Sequence, residues 1–237
     1  METKRLGRRT TFKQLTAFLD ENGIGYDFWQ KPENKTLKDL HKELRQGVCI
    51  LMFWNGRVVR KTREAAVDVC YPLSKEVMHV LTEQWQEVMH GNRKHVRQRE
   101  AFHTLKGKVK PDETYEHAAY RSICEKLGIR PPYKNYGRIK TGSSPFLIAL
   151  PFLGDKLGKK AKCGLFEVCD YPLDDLNTES YPGIPTKRER RLYIFVITKK
   201  YQKLKERCRE RCDQRTSYSW SPKNHRSASY LFQTIRV

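Results

Sequence analysis

The stretch from Gly107 to Ile129 constrains the chain more than any other, because it spells a turn, a helix start, a helix and a stop at fixed intervals. Gly107 permits a tight turn after the strand-like Leu105-Lys106. Pro111 and Asp112 lead into a helix predicted over Thr114 to Leu127, with Glu113 at its positive end, where an anion is favoured. Ala118, Ala119, Ile123 and Leu127 recur at helical spacing, and Gly128 releases the helix. A helix placed between strands requires an α/β layout.

The flanking sequence supplies those strands. Val67, Val69 and Tyr71 alternate, Val77 to Met89 and Arg93 to Phe102 flank a turn at His90-Gly91-Asn92, and further strands are predicted at Phe146 to Leu150, Gly164 to Asp170 and Arg191 to Thr198. Upstream the pattern is different. Thr10 or Thr11 caps a helix to about Asn22, a second helix runs from Thr36 to Gln46, and Asn55-Gly56 marks a hairpin between Val48–Trp54 and Val58-Val59. Tyr201 to Asp213 reads as a charged helix and the residues beyond Thr216 as an irregular tail. The layout is a small helical module with a hairpin (1–62), an α/β domain of mixed sheet (63–200), and a basic helix with tail (201–237).

The formal charge of +20 attracts polyanions through a long-range field and counterion release. The longest apolar run, Pro145 to Leu153, is too short for a membrane span and suits a buried strand. The basic start lacks the apolar segment of a secretory signal. Of seven cysteines, Cys49, Cys70, Cys124, Cys163 and Cys169 mostly lie in apolar strings, pointing to free thiols in an intracellular, reducing compartment, cytoplasm or organelle matrix. Cys208 and Cys212 sit four apart on the predicted last helix and offer two metal ligands, with no second pair nearby.

Gly107, Glu113, Arg121, Ile123, Glu125, Leu127, Gly128 and Ile129 fall in register with the Nudix box, which the segment resembles. The resemblance implies a Nudix-type α/β/α sandwich with mixed sheet. It gives Gly107, Glu113, Arg121 and Gly128 the role of box frame, with Glu113 partnering Arg121. Nudix hydrolases hold Mg²⁺ or Mn²⁺ with carboxylates at i, i+3 and i+4 on the helix and cleave nucleoside-diphosphate-linked substrates. Those positions are here Ser122, Glu125 and Lys126, so Glu125 is the one retained box carboxylate and the sole box candidate for catalysis. An ammonium beside the cation costs several kcal/mol even at an effective dielectric of about 20. Of the carboxylates outside the box (Glu83, Glu87, Glu100, Glu116, Glu167 and Asp170), Glu167 and Asp170 are the better placed as additional ligands. Asn34-Lys-Thr36, Leu81-Thr-Glu-Gln84 and Tyr181-Pro-Gly-Ile-Pro-Thr186 also look like a group of two-domain Nudix-like proteins with a small N-terminal module.

Basic residues gather where the acids are missing. Arg93, Lys94, His95, Arg97 and Arg99 share one predicted strand, and Lys106, Lys108 and Lys110 follow, the last two flanking the place where a diphosphate would enter. With Lys126, Arg97 and Arg99 they make a candidate anion-binding set. A second cluster, from Lys187 to Arg191 and from Lys199 to Arg215, is interleaved with Tyr193, Tyr201 and Tyr218, a combination that suits RNA. Three readings follow. One is a non-catalytic Nudix-like module that needs no cofactor and binds RNA, a ribonucleoprotein or a nucleotide, as in ribosomal proteins with an eroded box. Another is a hydrolase using Mg or Mn through an atypical carboxylate set. The third is an interaction scaffold.

Overall fold

A computed structural model describes residues 5–30, 35–72, 77–90, 93–98, 105–128, 135–139, 163–168, 174–176, 181–197, 207–211 and 214–224. In chain order the elements begin with β1 (Arg5–Leu6), α1 (Phe12–Glu21), α2 (Leu37–Arg45), β2 (Cys49–Trp54), β3 (Arg57–Pro72), β4 (Val77–His90) and β5 (Arg93–Gln98). They continue with β6 (Leu105–Lys108), α3 (Tyr115–Leu127), β7 (Asn135–Ile139), β8 (Cys163–Val168), β9 (Asp174–Leu176), β10 (Thr186–Ile197), β11 (Arg207–Arg211) and β12 (Gln214–Asn224). The chain forms two compact units. The first holds Met1–Glu64, Lys108–Tyr115 and Pro172–Arg190, and the second Ala65–Gly107, Glu116–Tyr171 and Arg191–Val237.

In the first unit both helices start as the sequence predicts. Thr11 accepts from the Gln14 amide while the Gln14 side chain reaches back to Thr11, and Thr36 and Asp39 repeat the exchange at α2. Each cap contributes roughly 1 kcal/mol. Leu15, Phe18 and Leu19 of α1 and Leu40 and Leu44 of α2 then bury one face each, joining Leu51, Val58 and Trp29 in a core. Asn55 (φ 48°) and Gly56 (φ 77°) are both left-handed, as a two-residue hairpin turn requires. The unit also recruits the late segment Tyr181–Pro185. Tyr181 and Ile184 are core residues, the Trp29 indole N–H donates to the Pro182 carbonyl at 2.9 Å, and the Arg60 amide donates to the Pro185 carbonyl at 2.9 Å.

The second unit is a mixed sheet in the order β11-β12-β4-β3-β10-β8-β7, with β5 also on β4. β7 and β8 run parallel, while β8 and β10, β4 and β12, and β4 and β5 are antiparallel. Ala65 to Cys70 of β3 are all buried, the pattern of an interior strand covered on both faces. α3 buries Ala118, Ala119, Tyr120, Ile123 and Leu127. The fold is therefore α/β with a mixed sheet, as read from the sequence. Cys49, Cys70, Cys124 and Cys163 are free thiols, and among the described residues no helix is long and apolar enough to cross a membrane.

Three expectations need correction. The hairpin's second strand does not end near residue 62 but runs on as β3 to Pro72. The predicted helix from Tyr201 to Asp213 is, over its described part, the strand Arg207–Arg211. The tail beyond Thr216 is also a strand, paired with β4 from Gln214↔Val88 to Asn224↔Val77. Charges of both signs in Arg207–Arg211 carry no apolar period, so tertiary pairing decided its state, and the Ser, Thr, Tyr and Trp of β12 favour strand. Cys208 thus lies on a strand, without the helical spacing that would pair it with Cys212. The strand predicted at 146–150 lies outside the described residues.

Candidate nucleic-acid interface

Ser122, Glu125 and Lys126, the expected metal positions, all lie on α3. Ser122, where the first carboxylate would stand, is 1% exposed, and its hydroxyl finds no hydrogen-bond partner among the described residues. A Cβ on Gly107 would meet Ser122 Oγ at 2.1 Å and the Ala118 carbonyl at 3.5 Å. Gly107 is therefore required by close packing of β6 on α3. It lies inside β6, which replaces the expected reason, a tight turn. Gly128, at φ +67°, does release the helix as read.

The retained carboxylate is already engaged. Glu125 Oε2 lies 3.2 Å from Arg121 Nη1, an i,i+4 pair on α3. Lys126 is half-buried in the last turn. Glu113 accepts from the Lys110 amide at 3.0 Å. Of the two outside carboxylates, Glu167 lies on β8 with Oε1 3.4 Å from Arg191 Nη1, and Asp170 falls outside the described residues. Among the described residues no group of three or more His, Cys, Asp or Glu is arranged to hold a metal. Mg²⁺ needs several oxygens at about 2.1 Å in octahedral array. An arginine-paired glutamate, a buried serine and a lysine do not fit that demand.

The lysines of the box loop separate. Lys106 is half-buried in β6 and Lys110 is exposed. Lys108, expected to flank an entering diphosphate, instead directs Nζ to Glu43 Oε1 at 2.6 Å inside the first unit. Around the same carboxylate, Lys35 Nζ lies 2.6 Å from Oε1 and Arg60 Nη2 lies 2.8 Å from Oε2. Burial pushes the Glu43 carboxyl upward, but Arg60, Lys108 and Lys35 outweigh it and bring the pKa down to about 2. Burial and Arg60 lower Lys108 to about 8, against the opposing pull of Glu43. Sequence reasoning missed this cluster. The available signal was Glu43 itself, an acid on the apolar face set by Leu37, Leu40 and Leu44.

In the second unit the sheet brings the two basic stretches of the sequence together. β12 lies along one edge of β4 and β5 pairs with the end of its other edge, while β11 extends from β12. Residues in register share a face, so Arg209, Arg215, Glu87 and Val96 form one row across the four strands. Two residues along, Arg207, Ser217, Trp85 and Gln98 form the next row on that face, and Met89 with Lys94 follows on the other side. Val96 is 60% exposed. Arg97 pairs with Gln86 and so belongs to the opposite face, and Arg99 lies outside the described residues. By register, Arg207, Arg209, Arg215 and Lys94 fall on one face of the sheet with Trp85 and Glu87. Arg209 stands directly opposite Arg215 in the ladder, a like-charge pairing that is unfavourable in an antiparallel sheet.

No protein-family model matches the chain, and no curated protein matches it. Among solved structures the chain is similar to the Ap4A hydrolase of C. elegans, at 13% identity and a TM-score of 0.29, covering 74% of this chain and 98% of that one. It is similar also to the chain in the T. brucei MERS1–RNA complex, at 13% identity and a TM-score of 0.27, covering 69% of this chain and 40% of that one. At these TM-scores neither likeness carries an argument about this protein.

Proposed function

We propose that this chain is a Nudix-like protein with an eroded metal site, and that it binds a phosphate-rich polymer, RNA above all, without hydrolysing a diphosphate. The observation that carries the reading is the row pairing Arg209 with Arg215, which joins two basic segments far apart in sequence on one face of the β11-β12-β4-β5 sheet. Such a face attracts phosphates from any sequence. The non-catalytic half rests on the box, where Ser122 is buried, Glu125 is paired with Arg121 and Lys126 replaces an acid.

The test is a pair of assays on the full chain. Fluorescence anisotropy with a labelled single-stranded RNA is expected to show binding that weakens as salt rises. A panel of nucleoside-diphosphate-linked substrates with Mg²⁺ or Mn²⁺ is expected to release no nucleoside monophosphate above the no-protein control. Metal-dependent release that Glu125→Gln abolishes would establish the hydrolase in its place. Absence of both binding and hydrolysis would leave an interaction scaffold.

A further inference from the structure

The hydrophobic core of the first unit stays open at one end. Val58 and Ile184 are buried there, Ile24 is partly buried, and Phe53 keeps 40% of its surface exposed. These residues line a cavity of about 450 Å³ beside the hairpin turn, a volume within the range of small-molecule sites. Gly56 of the turn lines it too, and a Cβ there would meet nothing within 4 Å, so the turn leaves the mouth clear. Phe53 and Val58 are register partners on β2 and β3 and present one apolar face. Trp54, the next residue, alternates to the other face, where the Lys187 ammonium lies 4.1 Å from its ring centre. Phe53 has no such ring or cation contact among the described residues.

Arg57 and Asn22 add polar groups to this wall. Arg57 is exposed, and its guanidinium has no ion pair or hydrogen bond among the described residues. Asn22 spends Nδ2 on the Phe18 carbonyl at 2.7 Å, which leaves Oδ1 as the acceptor it offers. No Asp or Glu lines the cavity, so a cation finds no counter-charge in it. Each group sets one requirement on a ligand. The guanidinium takes a carboxylate or phosphate in its fork. The Phe53 ring takes a flat ring against its face, and the amide oxygen takes an N–H on that ring's edge. A lipid chain would fill the apolar wall and leave the acceptor unused, and a bare phosphate would leave the wall in water. A nucleotide meets all three requirements, because every base has a π-face and an N–H on its edge.

We propose that this open end of the core binds one nucleotide, its base against Phe53 and its phosphate on Arg57, taken free or as an unpaired residue of a strand. The site involves no residue of the basic sheet and does not require that sheet to bind RNA. The test is calorimetric titration of the full chain at fixed ionic strength. The probes are the common nucleoside 5′-monophosphates, their nucleosides, inorganic phosphate and an acetylated peptide ending in a leucine carboxylate. At least one monophosphate is expected to bind saturably, about tenfold or more tighter than its nucleoside, the share of one charge-assisted hydrogen bond. Arg57→Gln, an exposed change beside the turn, is expected to bring the monophosphate down to its nucleoside and leave the nucleoside unchanged. Phe53→Ser is expected to weaken both alike, with circular dichroism confirming that each variant keeps the fold. Arg209→Gln with Arg215→Gln is expected to leave mononucleotide binding unchanged, which separates this site from the RNA reading. A short single-stranded oligonucleotide that binds through Arg57 more tightly than the monophosphate would identify a strand as the source, and one that binds no tighter would identify the free nucleotide. Absence of binding by every monophosphate, inorganic phosphate binding as well as they do, indifference to Arg57→Gln or Phe53→Ser, or tighter binding of the leucine peptide would overturn the proposal.

Discussion

Glu43 sits among apolar neighbours on α2 and stays ionised there because three cations surround it. Its pKa falls from 4.5 to about 2 on folding. A carboxyl held lower in the folded chain stabilises the fold above its unfolded pKa and loses that contribution as pH drops through the folded value. The stake is about 3 kcal/mol, at roughly 1.4 kcal/mol per pKa unit. Acid titration of the full chain, followed by circular dichroism, should show stability declining between about pH 5 and pH 2. Glu43→Gln should flatten that decline and lower stability at pH 7. An unchanged acid limb in the variant would mean that Glu43 is not the group responsible. Ser122 makes the opposite case, a small polar residue where the family motif has an acid. Since β6 already presses on it through Gly107, Ser122→Glu should destabilise the fold by about 3 kcal/mol or more, the cost of forcing a charge into a packed site. A denaturant midpoint equal to wild type would show that the position can open. Gly107→Ala is expected to behave like Ser122→Glu, because its new Cβ meets the same hydroxyl.

Among the elements, those whose starts and stops depend on local chemistry were legible in the sequence. α1 and α2 begin at Thr11 and Thr36 through reciprocal caps, the hairpin turns at Asn55-Gly56, and α3 ends at Gly128. Elements decided by distant partners were not legible. β12 takes its state from pairing with β4 and β11 from pairing with β12, and no residue within Arg207–Asn224 announces those partners. The box was recognisable by spacing. The packing of Ser122 against Gly107 was not, because a loop and about two helix turns separate them in sequence, and they meet only after packing. The same holds for Glu43 with Arg60 and Lys108. Placing β12 in the sheet has a direct consequence. Proline at Ser219, in register with Thr82, removes a ladder donor and should disrupt the β4–β12 pairing. Amide exchange along β4 should then accelerate. Protection unchanged from wild type would contradict the pairing.

At the scale of the whole molecule, a charge of +20 is too large to be neutralised within the chain, and part of it lies on strands β5 and β12, which pair with β4, and on β11, which pairs with β12. On the proposed reading, phosphates are held directly by side chains instead of through a bridging ion. Side chains that neutralise phosphates displace counterions, so their number is read from the dependence of affinity on salt. The measurement that tests this account most directly is the slope of log affinity against log salt for single-stranded RNA. It is taken for the wild-type chain and for Arg207→Gln, Arg209→Gln and Arg215→Gln combined. A steep wild-type slope that flattens by about two in the triple variant is the predicted result, since each phosphate neutralised on a single strand adds about 0.7 to the slope. A slope that the three substitutions leave unchanged would contradict the placement of the polyanion on this sheet.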